Sequence, residues 1–449
     1  RFQFVESIVG CPYAGYNGKT VDTWQATFEN YNPSADWRKV PFVDMISDTY
    51  PAYRAIINGT EDVVAQALAK LFRIAIMQRV TDSYGPIPYT QVMASKTESL
   101  EVAYDTQEEV YTAMFTELDD VIASLQDNLS LPSDAFGRYD GVYSGNISQW
   151  LKFANSLKLR MAMRLTEVKP DLAKSKAAEA IAAGVITTNA DNAMMHTSDN
   201  RTTLIYNDWG DHRIGADIIN YMNGYNDPRR EKMFQPATIT GGGFHGVVNG
   251  LGSTEQKFYT KMSAPNIFGE TPMRWLLASE VAFLKAEFKL LKGDKSGAKS
   301  DYEEGIRLSF LENGLSASDA ADYAQSMKTP ARFIDMSENP TKYSKNALGT
   351  VSVKWAEDGN ELERIITQKW IALYPNGMEA WAEFRRTGFP KLFPINENSN
   401  DPSIDKNKQI RRVIFPKSEY ANNAGAVNAA TRLLGGPDSG GTRLWWDAR

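Results

Sequence analysis

The chain has 449 residues, 42% hydrophobic and 23% charged, a globular composition that argues against a disordered, collagen-like or disulfide-stapled polypeptide. Its 49 Lys and Arg against 55 Asp and Glu leave a formal charge of -6, the wrong sign for non-specific phosphate binding, so no nucleic acid is expected as a partner. The length allows up to about three ordinary domains or one large helical body, and a single cysteine, Cys11, excludes an internal disulfide or a thiolate zinc site.

No run approaches the ~20 apolar residues that cross a bilayer, and Gln3, Glu6 and Ser7 stand where a signal peptide would need its apolar core. Ile8-Val9-Gly10-Cys11 resembles a bacterial lipoprotein cleavage site but lacks that core, so it reads as a chance match, with any export signal or anchor expected upstream. Residues 61–79 then place Val64, Leu68, Leu71 and Ala75 on one side at spacings of three and four, the helical period. Residues 105–125 repeat this with Val110, Met114, Leu118, Ile122 and Leu125, and Asp105 or Thr106 suits the N-cap. Residues 147–166 carry Trp150, Ala154, Leu157, Met161 and Leu165; Pro170 then opens a helix that ends at Gly184. Residues 275–291 align Leu277, Val281, Leu284, Phe288 and Leu291. Gly293 can take the left-handed C-terminal position, and Asp294 can cap a helix bearing Ala298, Tyr302, Ile306 and Phe310.

With Ala286, Gly305 and the Gly293-Asp294 turn, this last pair has the small-residue pattern of a tetratricopeptide repeat, and 61–125 and 147–183 echo it. The expected fold is mainly α: one body, 1–449, built on helical pairs at 61–125, 147–183 and 275–313 with helices at 361–386. Long irregular insertions at 185–272, 314–360 and 387–449, and a shorter one at 80–104, are rich in Gly, Pro, Asn and aromatics.

Motifs with catalytic associations do not hold up. Residues 241–246 fit G-x-G-x-x-G, but no helix follows and no βαβ unit surrounds them. Asp438-Ser439-Gly440-Gly441 resembles a serine-protease nucleophile loop, yet His196, His212 and His245 suggest no triad and lack the spacing of a zinc helix. Glu108-Glu109, Asp119-Asp120 and Glu303-Glu304 read as solvated helix faces. A carbohydrate-cleaving enzyme would need two carboxylates facing each other across a cleft, a geometry that sequence does not reveal. No catalytic residue, metal or cofactor is therefore expected. What remains is aromatic: Trp24, Trp37, Tyr206, Trp209, Arg213 and Tyr225 lie outside the periodic helices among Asn, Asp and Arg, as in the run 206–213. Rings there can stack on sugar C–H faces or peptide side chains while polar neighbours bond the rim, though any one ring can equally anchor its loop.

Several segments also resemble one family, the SusD/RagB-like outer-membrane nutrient-binding lipoproteins of Bacteroidetes, in its starch-binding-associated branch. These are Thr81-Asp82-Ser83-Tyr84-Gly85-Pro86-Ile87-Pro88-Tyr89; 365–374 with Glu379-Ala380-Trp381 and Arg385-Arg386-Thr387-Gly388-Phe389-Pro390; Arg412 to Tyr420; and the closing Thr442-Arg443-Leu444-Trp445-Trp446-Asp447. Each has a structural account: Pro86 and Pro88 fix an extended turn, Trp370, Leu373 and Trp381 plug the helical body, and Arg385 and Arg386 can bond helix C-terminal carbonyls. The resemblance implies a tetratricopeptide-like scaffold and a non-enzymatic protein on the extracellular face of the cell outer membrane. It would be held there only by an N-terminal lipid of the precursor, would bind oligosaccharide or peptide, and would pass it to a TonB-dependent, SusC-like transporter. The family's anchor cysteine and lead segment do not appear in the chain, and its ligand contacts are not signature positions, so none is carried over.

Overall fold

A computed structural model of the chain describes residues 4–20, 27–93, 101–131, 134–251, 256–337, 343–395 and 401–448. They are mostly helical. The helices used below are α1 (Met45–Gly59), α2 (Val63–Tyr84), α3 (Gln107–Asp127), α4 (Ile147–Arg164), α5 (Pro170–Ala183), α6 (Ala216–Tyr225), α7 (Ala278–Leu291), α8 (Lys295–Glu312), α9 (Ala317–Ala324), α10 (Glu361–Leu373), α11 (Gly377–Thr387) and α12 (Ala424–Leu433). The segments expected as irregular contain α6, α9 and α12, and α1 precedes the first expected helix; α1 buries only Met45, Tyr50 and Tyr53, too few to stand out as a stripe.

The periodic segments fold as their apolar faces dictate. α2 packs on α3, α4 on α5 and α7 on α8. Asp62 accepts the Val64 and Ala65 N–H groups at the start of α2, and Thr106 opens α3 in a reciprocal capping box with Glu109. Gly293 adopts φ 78°, and Asp294 caps α8 by accepting the Gly297 N–H at 2.8 Å. The doublet at 303–304 lies on a solvated helix face, with Glu304 pairing Arg307. Asp119 pairs Lys158 and Lys176, and Glu108 pairs Lys169.

The main apolar cluster runs from Val5 to Trp446 and is threaded by buried ion pairs, with a second, smaller one around Val247, Tyr259 and Phe333. Arg164 bridges Glu379 at 2.5 Å and also Glu383, and Arg160 holds Glu280 at 2.7 Å. Arg386 departs from expectation: instead of bonding carbonyls it grips Glu287 at 2.6 Å and Glu383 at 2.7 Å, tying α11 to α7. Arg385 does donate to backbone oxygens, those of Trp381 and Arg411.

Two short antiparallel ribbons complete the frame: β1 (Asn17–Lys19) with β3 (His212–Ile214), and β2 (Ala193–Met195) with β4 (Met273–Leu276). Among the described residues no helix is long and apolar enough to cross a membrane. Cys11 is buried in the core, where burial pushes its thiol up and Sγ faces the Pro375 carbonyl oxygen at 3.3 Å. This position does not suit a lipid attachment point.

Candidate functional site

The β1/β3 ribbon places Lys19 opposite His212 and Gly18 opposite Arg213. Gly18 is required by packing, because a Cβ there would lie 2.5 Å from the Val247 carbonyl oxygen. Three wide, π-type turns, Val5–Gly10, Val40–Asp44 and Leu204–Asp208, carry the segments that supply the nearby rings, a geometry frequent at functional sites. The first follows Phe4, the second follows the short helix holding Trp37, and the third delivers Trp209, whose N–H bonds the Leu204 carbonyl at 2.8 Å.

These segments bring three rings together. Phe4 stacks on Trp209 with centroids 6.1 Å apart and planes at 20°, and meets Trp37 at 6.5 Å. Trp209 remains 43% exposed; Trp37 and Phe4 are half-buried. Trp37 and Trp209 line one surface depression with Ile8, Phe28 and Ile205, and its polar base is Lys19, Glu29, Asp211 and His212. His212 Nε2 bonds Glu29 Oε1. Burial acts to raise the Glu29 carboxyl, but the facing His212 and Lys19 more than offset it and hold it below its ordinary range. Burial pushes Asp211 upward, opposed by His212. The buried Glu29 is thus compensated within the base by His212, leaving rings with an exposed polar fringe at Asn207 and Asp208.

Of the residues singled out from sequence, Trp37 and Trp209 meet here. Arg213 stands behind them: its guanidinium donates to the carbonyls of Thr260, Tyr206 and His212, which fixes the Trp209 turn to the ribbon. Tyr206 and Tyr225 require correction. They are 3% and 2% exposed, and their hydroxyls are committed to Asn17 Oδ1 at 2.8 Å and the Val351 carbonyl at 3.0 Å, so both anchor loops. Trp24 lies outside the described residues. Sequence reasoning missed Phe4, Glu29 and His212; none sits in a periodic stretch, and only the fold brings residues 4, 29, 37 and 209 together.

A larger cleft of about 510 Å³ opens between α1, α2 and β4, with a lining that includes Tyr53, Ile56, Phe72, Ile76 and Trp275. Two of its arginines are committed, Arg73 to Glu117 and Arg160 to Glu280, so it is essentially apolar. Among the described residues no group of three His, Cys, Asp or Glu side chains is placed to hold a metal ion.

A family model described as SusD-like, "Susd and RagB outer membrane lipoprotein", matches residues 1–447. No curated protein matches the chain. Among solved structures, a SusD homologue from Bacteroides thetaiotaomicron is 44% identical with a TM-score of 0.93, covering 100% of this chain and 95% of that one. A SusD homologue from Bacteroides ovatus is 37% identical with a TM-score of 0.93, at the same coverage. A chitin-binding SusD homologue from Flavobacterium johnsoniae is 32% identical with a TM-score of 0.91, again covering 100% and 95%. The helical scaffold, the signature segments and the match along nearly the whole length agree: the chain belongs to the SusD-like family of outer-membrane lipoproteins.

Proposed function

We propose that this protein is a cell-surface glycan-binding component of a nutrient import system. It captures oligosaccharide at the Phe4, Trp37 and Trp209 surface and delivers it to a TonB-dependent, SusC-like transporter in the outer membrane, to which an N-terminal lipid of the precursor holds it. One observation carries this reading: an exposed indole, a second ring and a third between them converge over a charge-compensated base. Such a surface stacks on the C–H face of a sugar and bonds its hydroxyls at the rim. The chitin-binding Flavobacterium johnsoniae homologue supports a glycan and makes chitooligosaccharides the first ligands to try.

Catalysis is not part of the proposal. Glu29 is buried and held by His212, so it is poorly placed to serve as nucleophile or base on a surface-bound chain. A second reading, peptide capture, draws on the apolar cleft beside α1, which suits the side chains of an extended peptide better than a hydroxyl-rich chain.

Calorimetric titration of chitin-, starch- and xylan-derived oligosaccharides and of mixed peptides separates these readings. Binding of one glycan series without product release is expected, and Trp209→Ala should weaken it by about 1–3 kcal/mol. Peptide binding with no response to any glycan would overturn the glycan reading; cleavage of a bound glycan would overturn the non-enzymatic one.

A further inference from the structure

The turn 268–271 presents a ring that the site above does not use. Phe268 is 58% exposed, and the turn under it is well built: the Phe268 N–H bonds Thr271 Oγ1 at 2.9 Å, and the Thr271 N–H returns to the Phe268 carbonyl at 3.0 Å. An isolated exposed ring needs no explanation by itself. This one is distinguished by what surrounds it.

Ile267 and Thr271, on either side of Phe268, line a cavity of mixed character with Asn266, Arg274, Asn313 and Lys232. Its charges are largely compensated. Arg274 faces Glu312 at 3.5 Å, Glu6 pairs with Arg79, and Lys232 has no ion pair among the described residues. Asn266 and Asn313 donate Nδ2 to the Lys232 and Ser309 carbonyls, so what the cavity offers beside the exposed ring is their amide oxygens, the Arg274 guanidinium and the Lys232 ammonium, groups that can bond the hydroxyls of an uncharged ring.

The cavity adjoins the Trp209 site. Ser7 and Thr202 line it, whereas Ile8 and Ile205 line the aromatic depression; Ser7 Oγ bonds Thr202 Oγ1 at 3.4 Å between the two. Asn200 pins the Phe268 turn to the segment that carries Trp209, its N–H bonding the Gly269 carbonyl at 2.7 Å and its Nδ2 the Thr271 carbonyl at 2.8 Å. The two ring-bearing turns are therefore held in a fixed relation.

We propose that Phe268 and the amide-lined cavity beside it form a second carbohydrate subsite, taking a neutral pyranose residue of the same chain whose other end stacks at Trp37 and Trp209. This rests on the glycan reading above and adds that the protein selects for chain length. The second subsite engages only when the ligand is long enough to reach it, and its binding then draws on the effective concentration set by the first.

The test is calorimetric titration with chitobiose through chitohexaose, and with maltooligosaccharides of the same lengths, on the wild type, Phe268→Ala, Asn266→Ala and Trp209→Ala. Wild-type affinity should rise with length. Phe268→Ala removes only an exposed ring and should melt with the wild type; it should keep the disaccharide affinity and lose about tenfold for the hexasaccharide. Asn266→Ala should lose about fivefold in the same length-dependent manner. An unchanged length dependence in both variants overturns the subsite, as does an equal loss for every length, which would merge Phe268 with the first site. Failure of the wild type to bind either series, or binding that Trp209→Ala leaves intact, overturns the first site and this inference with it; loss confined to the length dependence bears on the second subsite alone.

Discussion

Asp82 is a single carboxylate on which three distant parts of the chain close. Its Oδ1 accepts the Tyr111 hydroxyl at 2.7 Å and the Trp446 indole N–H at 2.8 Å, Oδ2 accepts Gln78 Nε2 at 2.7 Å, and Arg164 Nε stands 3.4 Å away. Burial pushes this carboxyl up, opposed by Arg164 and the Tyr111 hydrogen bond. Asp82→Ala would strand an indole, a phenol and part of a guanidinium in the core, so a loss of about 3–5 kcal/mol is expected. It would be read as a lower urea midpoint with an unchanged slope. Asp217 illustrates the opposite cost. Burial pushes it up to about 7, partly relieved by the Phe393 N–H at 2.6 Å, its own backbone N–H and Lys345. The folded chain keeps this proton to higher pH than the unfolded chain, whose aspartates titrate near 4. The contribution to stability is therefore full below about pH 4 and is lost as pH rises toward 7, by on the order of 4 kcal/mol. Melting curves of Asp217→Asn should lack this component and run above the wild type at pH 8; parallel curves across that range would refute the assignment.

At the scale of elements, close approach of paired helices governs the scaffold. Gly305 of α8 faces Phe283 of α7, and an added Cβ would stand 2.7 Å from that ring. Phe283 is fully buried and has little room to yield. Gly305→Ala should therefore destabilise by about 1–3 kcal/mol despite the better helix propensity of alanine, because overpacking spreads the pair. A gain in melting temperature would mean that the pair has slack. The same small-residue pattern made this pair legible from sequence alone, along with its Gly293 and Asp294 punctuation.

Across the whole molecule, legibility followed periodicity. α2, α3, α4, α7 and α8 each repeat an apolar face over several turns and were located by spacing, whereas α5 was located by Pro170 and Gly184 at its two ends. The signature segments at 81–89, 365–374 with 379–381 and 385–390, 412–420 and 442–447 were also readable, and their contacts explain why they are structural: Trp446 meets Asp82, Arg412 donates to the Tyr84 carbonyl, and Arg411 pairs Asp447. The aromatic surface was only half legible. Trp37 and Trp209 stand out by residue type, but so do Tyr206 and Tyr225, which the fold buries, one inside the turn before Trp209 and the other at the end of α6. Phe4, Glu29 and His212 carry no local signal, because three-residue strands and single wide turns are too short to impose a pattern.

The interlocking of segments far apart in the chain has a consequence for biogenesis. The Met378 N–H bonds Glu6, Trp370 Nε1 donates to the Ala14 carbonyl at 2.8 Å, and the Trp446 indole seals the first long helical pair. Contacts spanning so much of the polypeptide form late, since the loops they close are long. A growing or translocating chain thus lacks this wedge until residue 446 is available, and until then its first helical pair remains open to chaperones and proteases.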